Sequence, residues 1–172
     1  MARVLQSAAA YGAATMAAYD RLDIDPEIVS LLLVPDGASL EDLLGFEVTR
    51  NDDGSWIITF DVDDIHRQPL GLVHGGTYCA MAETVASVGT VAAVFPQGMI
   101  AIGQSNNTHF LRPVNAGRVT GLARPIHRGR TSWIWEIDMT DDGGRLVARS
   151  TVTMAVRPRP DDPATEGAGS AP

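Results

Sequence analysis

The sequence predicts an α+β domain in which an antiparallel sheet wraps around one long central helix. Three observations predict it. Residues 77–95 are apolar or small on every face of a helix, apart from one glutamate. Six segments of strand-like composition flank that helix, two before it and four after. Turn-forming clusters separate the segments by short distances, which favours antiparallel hairpins. With 172 residues, 45% hydrophobic and 20% charged, the chain is long enough for one well-packed domain and short for two.

Residues 1–37 read as an N-terminal appendage. They are alanine-rich, and "PEIVSLLL" (Pro26–Leu33) suits a short amphipathic helix started by Pro26 and ended near Pro35. The opening "MARVLQSAAAYGAATMAAY" lacks the leucine-rich middle of a secretory signal, so a cytoplasmic location is expected. The main domain, 38–158, begins with "LGFEVTR" and "SWIITFDVDD", two strand-like runs separated by the turn "NDDG". The helix Thr77–Phe95 follows. Four further strands are expected around Met99–Leu111, Arg118–Ile126, Ser132–Thr140 and Arg145–Val156, punctuated by "PVNAG", "HRGR" and "DDGG". Residues 159–172, rich in proline, glycine and small side chains, read as a disordered tail.

Composition narrows the function. A formal net charge of −8 argues against general nucleic-acid binding, which needs cationic surface to replace counterions. The single cysteine, Cys79, excludes an intrachain disulfide and a multi-cysteine metal site. His66, His74, His109 and His127 lack the close spacing of a zinc motif, so no metal is expected. The helix is just long enough to span a bilayer, but an unpaired Glu83 near its centre would be costly there. A helix enclosed by its own sheet is the better reading, with no membrane partner.

From Gln68 to Leu111, Glu83 is the only Asp, Glu, Lys or Arg. A buried carboxylate must be paired or take up a proton, and either state suggests a role. The alternative is a structural glutamate bonded to Ser, Thr or backbone at a subunit contact. Gly75 and Gly76 precede the helix, where N–H groups lack intrahelical acceptors and sit at the positive end of the macrodipole. A carbonyl oxygen bound there would be polarised for attack, although paired glycines also serve ordinary turns. Glu83 lies eight residues beyond Gly75, about 12 Å along one helix axis. If both act on one small carbonyl centre, they come from two subunits, so the spacing predicts a dimer.

Three stretches, "RQPLGLVHGGTYCAMAETVAS", "GQSNNTHFLRPV" and "HRGRTSWIWEI", together closely resemble the hotdog-fold acyl-CoA thioesterases. The resemblance runs from about Leu44 to Pro158. It is greatest to the 4-hydroxybenzoyl-CoA thioesterases that use a helix glutamate rather than an aspartate. It implies that Glu83 attacks the thioester carbon or activates water to do so, with the Gly75 N–H as oxyanion donor and His74 shaping that turn. Gln68 matches a glutamine near the departing thiolate, and Ser87 a hydroxyl that orients the carboxylate or water; a contact one helical turn away is physically reasonable. His74 fits a supporting role better than proton transfer, and Cys79 a small core residue better than a nucleophile.

For coenzyme A, which is part of the substrate and not a cofactor, the resemblance points to Arg112 and Thr131. Arg130 replaces a small polar residue before Thr131 and could add a phosphate contact. The basic residue expected past the last strand is shifted onto Arg157 or Arg159. Val88 stands where 4-hydroxybenzoyl relatives carry a carboxylate near the ring hydroxyl, and Glu41 is the candidate substitute. That departure leaves phenylacetyl, other aromatic and medium aliphatic thioesters open. The family implies a homodimer at the active site and a homotetramer. Two alternatives stand beside hydrolysis: a hotdog hydratase or dehydratase, and a non-catalytic acyl-CoA-binding protein.

Overall fold

The computed structural model describes residues 39–159. The expected appendage and the tail beyond Arg159 lie outside the described residues. A single turn of helix, α1 (Leu40–Leu43), is capped by the Ser39 hydroxyl, which accepts from the Asp42 N–H. It leads into β1 (Glu47–Arg50) and β2 (Trp56–Asp61), an antiparallel pair closed through "NDDG". The long helix α2 spans Gly75–Val94. It is followed by β3 (Met99–Phe110), β4 (Arg118–Arg128), β5 (Ser132–Thr140) and β6 (Leu146–Pro158).

All strand pairings are antiparallel, in the spatial order β1-β2-β4-β5-β6-β3. This order departs from a simple run of hairpins. "PVNAG" is a crossover: β3 lies at the sheet edge against β6, and the chain then returns to place β4 between β2 and β5. The physical reason lies in α2. It carries the chain away from β2, leaving β2's inner edge unpaired until β4 docks with Trp56 opposite Ala123 and Asp61 opposite Arg118.

The concave face packs onto α2. On β5, Trp133, Trp135, Ile137 and Met139 are buried at every second position, the period of a half-buried strand. Trp56, Ile58 and Phe60 do the same on β2. Gly89 gives these tryptophans room: a Cβ there would meet Trp135 Cη2 at 2.5 Å and Trp56 Nε1 at 3.2 Å. The Trp135 indole N–H donates to Thr90 Oγ1 at 2.9 Å, and that hydroxyl donates to the Ala86 carbonyl at 2.7 Å. A large side chain thereby meets a helix without stranding a polar group.

Composition suggested a helix enclosed on all sides; among the described residues one side of it stays open. The sheet covers the face bearing Tyr78, Met81, Val85 and Val88, while Gly76, Cys79, Ala80, Glu83, Ser87 and Val91 are more open. Apart from the adjacent pair Cys79 and Ala80 they recur every three to four residues, so they form one stripe. Most of β3 is exposed beside it. The Gly75–Gln97 segment has the length and mean hydropathy, 1.4, of a membrane-spanning helix, yet its apolar side is occupied by the sheet.

Candidate active site

The helix start is built by His74. Its N–H donates to the His66 carbonyl at 2.7 Å, and its Nδ1 accepts from the Gly76 N–H at 2.8 Å, making His74 the N-cap. The Thr77 N–H donates to the His74 carbonyl. The Gly75 N–H is the first of the helix and has no acceptor within it. His66 holds the turn from beneath. Its Nδ1 accepts from the Asp63 N–H, so its Nε2–H donates to the Leu44 carbonyl at 2.9 Å, a neutral tautomer fixed by two backbone groups.

This turn opens onto a cavity of about 510 Å³ lined in part by Gln68, Leu72, His74, Gly75, Phe110 and Arg112. Four sequence-predicted residues (Gln68, His74, Gly75 and Arg112) are therefore gathered around one space. Gln68 is fixed by a tight loop in which its N–H donates to the Leu72 carbonyl and its own carbonyl accepts from the Gly71 N–H. Arg112 reaches the Leu146 carbonyl with Nη1 at 2.6 Å.

Two features of the cavity went unseen in the sequence. Phe110, 57% exposed, lies over Gly75 so closely that a Cβ at 75 would sit 2.8 Å from its ring. A methyl at 75 would push this exposed ring aside, and glycine leaves the N–H accessible. Tyr78, 3% exposed, lines the same cavity, and its hydroxyl is buried without a hydrogen-bond partner among the described residues. Burial, with the Asp141 carboxylate adding to it, pushes the Tyr78 phenol up to about 12. Both lie within the stretches that carry the resemblance but were assigned no role there; their part in the cavity depends on what the fold brings beside them.

Glu83 and Ser87 stand apart from this cavity, further along α2. The Ser87 hydroxyl donates to Glu83 Oε1 at 3.0 Å, the one-turn contact expected from the sequence. Glu83 is half-buried on the open stripe, not buried as its apolar surroundings implied. Its carboxylate lies against Gly103 of β3. Nearby, Asn106 Nδ2 donates to the Cys79 carbonyl at 2.9 Å, tying β3 to the helix. Glu41, the candidate ring-hydroxyl partner, accepts from Thr84 Oγ1 at 3.4 Å, and Val88 is buried.

The residues expected to meet coenzyme A do not converge within one chain. Arg112 belongs to the cavity at the N-terminal end of α2. Arg159 stacks on the Phe95 ring at 4.5 Å, just past the C-terminal end. The Thr131 carbonyl accepts from the Val156 N–H and from Arg157 Nη1, and Arg130 is exposed beside it. Twenty helical residues, about 30 Å, separate the two ends. Among the described residues, no three His, Cys, Asp or Glu side chains are grouped to hold a metal ion.

Comparison with known proteins gives this geometry a context. A family profile described as "Thioesterase superfamily" matches residues 70–148, which include both glycines, Glu83 and Ser87. A 1,4-dihydroxy-2-naphthoyl-CoA hydrolase of Listeria monocytogenes is 32% identical over 118 residues, covering 69% of this chain and 95% of the relative. A mutant thioesterase of Pseudomonas aeruginosa, in which a glutamine is replaced by alanine, superposes with a TM-score of 0.69 at 36% identity. That match covers 71% of this chain and 88% of the other. Its natural counterpart is 38% identical over 120 residues, 83% of its length. A Staphylococcus aureus protein has a TM-score of 0.67 at 30% identity, covering 70% of this chain and all of that one. Its crystal structures include alanine substitutions of a glutamate and of a glutamine spaced along that chain as Glu83 and Gln68 are along this one.

Proposed function

The chain belongs to the thioesterase superfamily, and from that premise we propose that it hydrolyses an acyl- or aroyl-CoA to the free acid and coenzyme A. One observation carries the proposal. The Gly75 N–H opens onto a cavity at the helix start, while Glu83, oriented by Ser87, lies half-buried beside β3 two turns further along. Two copies with their α2 helices antiparallel would place the Gly75 N–H of one opposite Glu83 of the other. Each site would then hold an oxyanion donor and a carboxylate from different chains.

The thioester oxygen accepts from the Gly75 N–H, at the positive end of the helix dipole, and the negative charge of the tetrahedral intermediate is stabilised there. Glu83 either takes a proton from the water that attacks the thioester carbon or attacks that carbon itself, with water cleaving the resulting anhydride. In both routes the C–S bond breaks and the coenzyme A thiolate leaves, taking up a proton. Gln68, on the loop across the cavity, is placed to donate to the thioester or the departing sulfur. His74 caps the helix through Nδ1 and so holds the oxyanion turn in place. The proposed chemistry requires no metal or organic cofactor.

One relative supports an aroyl acyl group: the Listeria hydrolase is named for a dihydroxynaphthoyl thioester. Arg112, together with Arg130, Thr131 and Arg159 of the partner's opposite helix end, is proposed to meet the phosphates of coenzyme A. Thiol release from benzoyl-, 4-hydroxybenzoyl-, phenylacetyl- and aliphatic CoA esters tests the proposal. Glu83→Ala should lower kcat by about 10²- to 10⁴-fold while leaving the oligomer intact. Substantial hydrolysis by that variant would remove Glu83 from the mechanism. Binding of these esters by the wild type without thiol release would instead make the chain an acyl-CoA-binding protein.

A further inference from the structure

We propose that Gly103 is a positioning residue for Glu83: the side chain missing at 103 leaves the carboxylate its seat against β3. The inference rests on the catalytic reading of Glu83 and adds what holds that group in place. Glu83 projects from the open stripe of α2 towards the strand alongside. A Cβ built on Gly103 would lie 2.8 Å from Glu83 Oε1, 3.7 Å from Cδ and 3.8 Å from Cγ, and these are its three nearest atoms. Oε1 is also the atom that accepts from Ser87 Oγ. The carboxylate is thus held between a hydroxyl on its own helix and bare backbone on the neighbouring strand.

The backbone does not require glycine at this position. Gly103 is not among the residues with positive φ, so its conformation suits any amino acid. Its reason is the space that Glu83 fills. The strand is irregular at the same place: the register with β6 shifts between Gly103, opposite Met154, and Ser105, opposite Thr153. Gln104 is the extra residue of a bulge, a device that bends a strand locally and re-aims what stands beside it. Ser87 Oγ also approaches Met154 Sδ, at 4.0 Å, so helix, bulge and β6 meet around the carboxylate.

Stability and catalysis should separate here. The atom that an added methyl would displace is the far end of a flexible, half-buried side chain, so the fold accommodates it by swinging Glu83 aside. Restoring an ordinary contact moves Oε1 by about 0.6 Å and weakens its bond to Ser87. A catalytic group misplaced on the order of 1 Å can cost about 10²-fold in rate.

The experiment is a double-mutant cycle in the full chain, using the CoA ester of the panel that the wild type hydrolyses fastest. Gly103→Ala should keep the wild-type unfolding midpoint and a similar KM while kcat falls about 10- to 100-fold. Glu83→Asp, one methylene shorter, loses activity by itself but no longer reaches the methyl at 103. Adding Gly103→Ala in that background should cost less than about threefold, because contacting residues are non-additive where independent ones are not. Wild-type kcat in Gly103→Ala, or an equal loss in both backgrounds, overturns the proposal. So does a loss explained by a lowered unfolding midpoint. Full turnover by Glu83→Ala overturns the catalytic reading and this one together; an inactive Glu83→Ala beside an unaffected Gly103→Ala overturns this one alone.

Discussion

A site divided between two copies makes a quantitative prediction about mixtures of inactive chains. In a two-fold dimer, residue i of one protomer meets residue j of its partner and the reverse, so each site as proposed would take Gln68 from one chain and Glu83 from the other. The Glu83→Ala and Gln68→Ala homodimers carry a lesion in both sites. In the heterodimer both lesions fall in one site, and the second site is wild type. Equal mixing with free exchange makes half the dimers heterodimers, each with one active site of two. Activity should therefore recover to about a quarter of wild type. Refolding the chains together, with different tags to isolate the heterodimer, and measuring thiol release checks it. The same symmetry supplies a structural control. If residue 75 lies opposite 83 and 83 opposite 75, the residue midway, Cys79, lies beside the two-fold axis next to its own copy. Cys79 is on the open stripe and is the chain's single cysteine. Mild oxidation or a short bismaleimide should then link chains through Cys79, and Cys79→Ser should abolish the link. Verified heterodimers that stay inactive would refute the shared site.

Two further predictions concern the core beneath the site. Gly89→Ala gains about 1 kcal/mol of helix propensity. However, its methyl would stand 2.5 Å from Trp135 and 3.2 Å from Trp56, both buried and without room to retreat. Overpacking of this kind costs about 1–3 kcal/mol, so thermal unfolding should show a net loss of stability; an unchanged or raised Tm would contradict this packing. Tyr78→Phe removes a buried hydroxyl that has no partner among the described residues, so it should hold or raise stability at pH 7 by up to about 1 kcal/mol. Because the folded phenol is raised to about 12 from 10, its contribution is fully present below pH 10 and is lost as pH rises towards 12. The chain contains no lysine, so few other groups obscure that window. Denaturant unfolding from pH 9 to 12 should show a steeper alkaline loss in wild type than in Tyr78→Phe. Parallel curves would place the hydroxyl in contact with water.

The elements were legible because each rests on local chemistry. The helix expected over 77–95 occupies Gly75–Val94, and β5 matches its expected bounds, since periodicity and turn residues operate within a few positions. Strand order was not legible. Nothing local in "PVNAG" distinguishes a hairpin from a crossover; the difference lies in β2's open edge, far away in sequence. The site divides in the same way. The contact of Ser87 with Glu83 follows from one helical turn, and the cavity around Gln68, His74 and Gly75 follows from one compact motif. Phe110 over Gly75, and Gly103 under Glu83, arise because β3 runs beside α2, so no spacing rule announces them. The arginines assigned to coenzyme A share a chemistry but lie at opposite ends of the helix in one chain.

The absence of charge around Glu83 has a different meaning in three dimensions than it had in sequence. Read along the chain, a run from Gln68 to Leu111 with one charged residue looks like core. Part of it is core: the side of α2 that meets the sheet. Much of the remainder is β3, twelve residues long, mostly exposed, paired on one edge alone among the described residues, and without Asp, Glu, Lys, Arg or Pro. An edge strand of this length normally carries a charge, a proline or a cover, because its unpaired backbone invites another strand. Among the described residues that protection is missing along the strand that borders the open stripe of α2 and the carboxylate itself. Such a surface is tolerated when it is destined to be covered, and a second copy that brings its Gly75 to this Glu83 would cover it. The uncharged stretch and the solitary glutamate then have one cause: a face kept neutral for pairing, interrupted where the proposed reaction needs a charge.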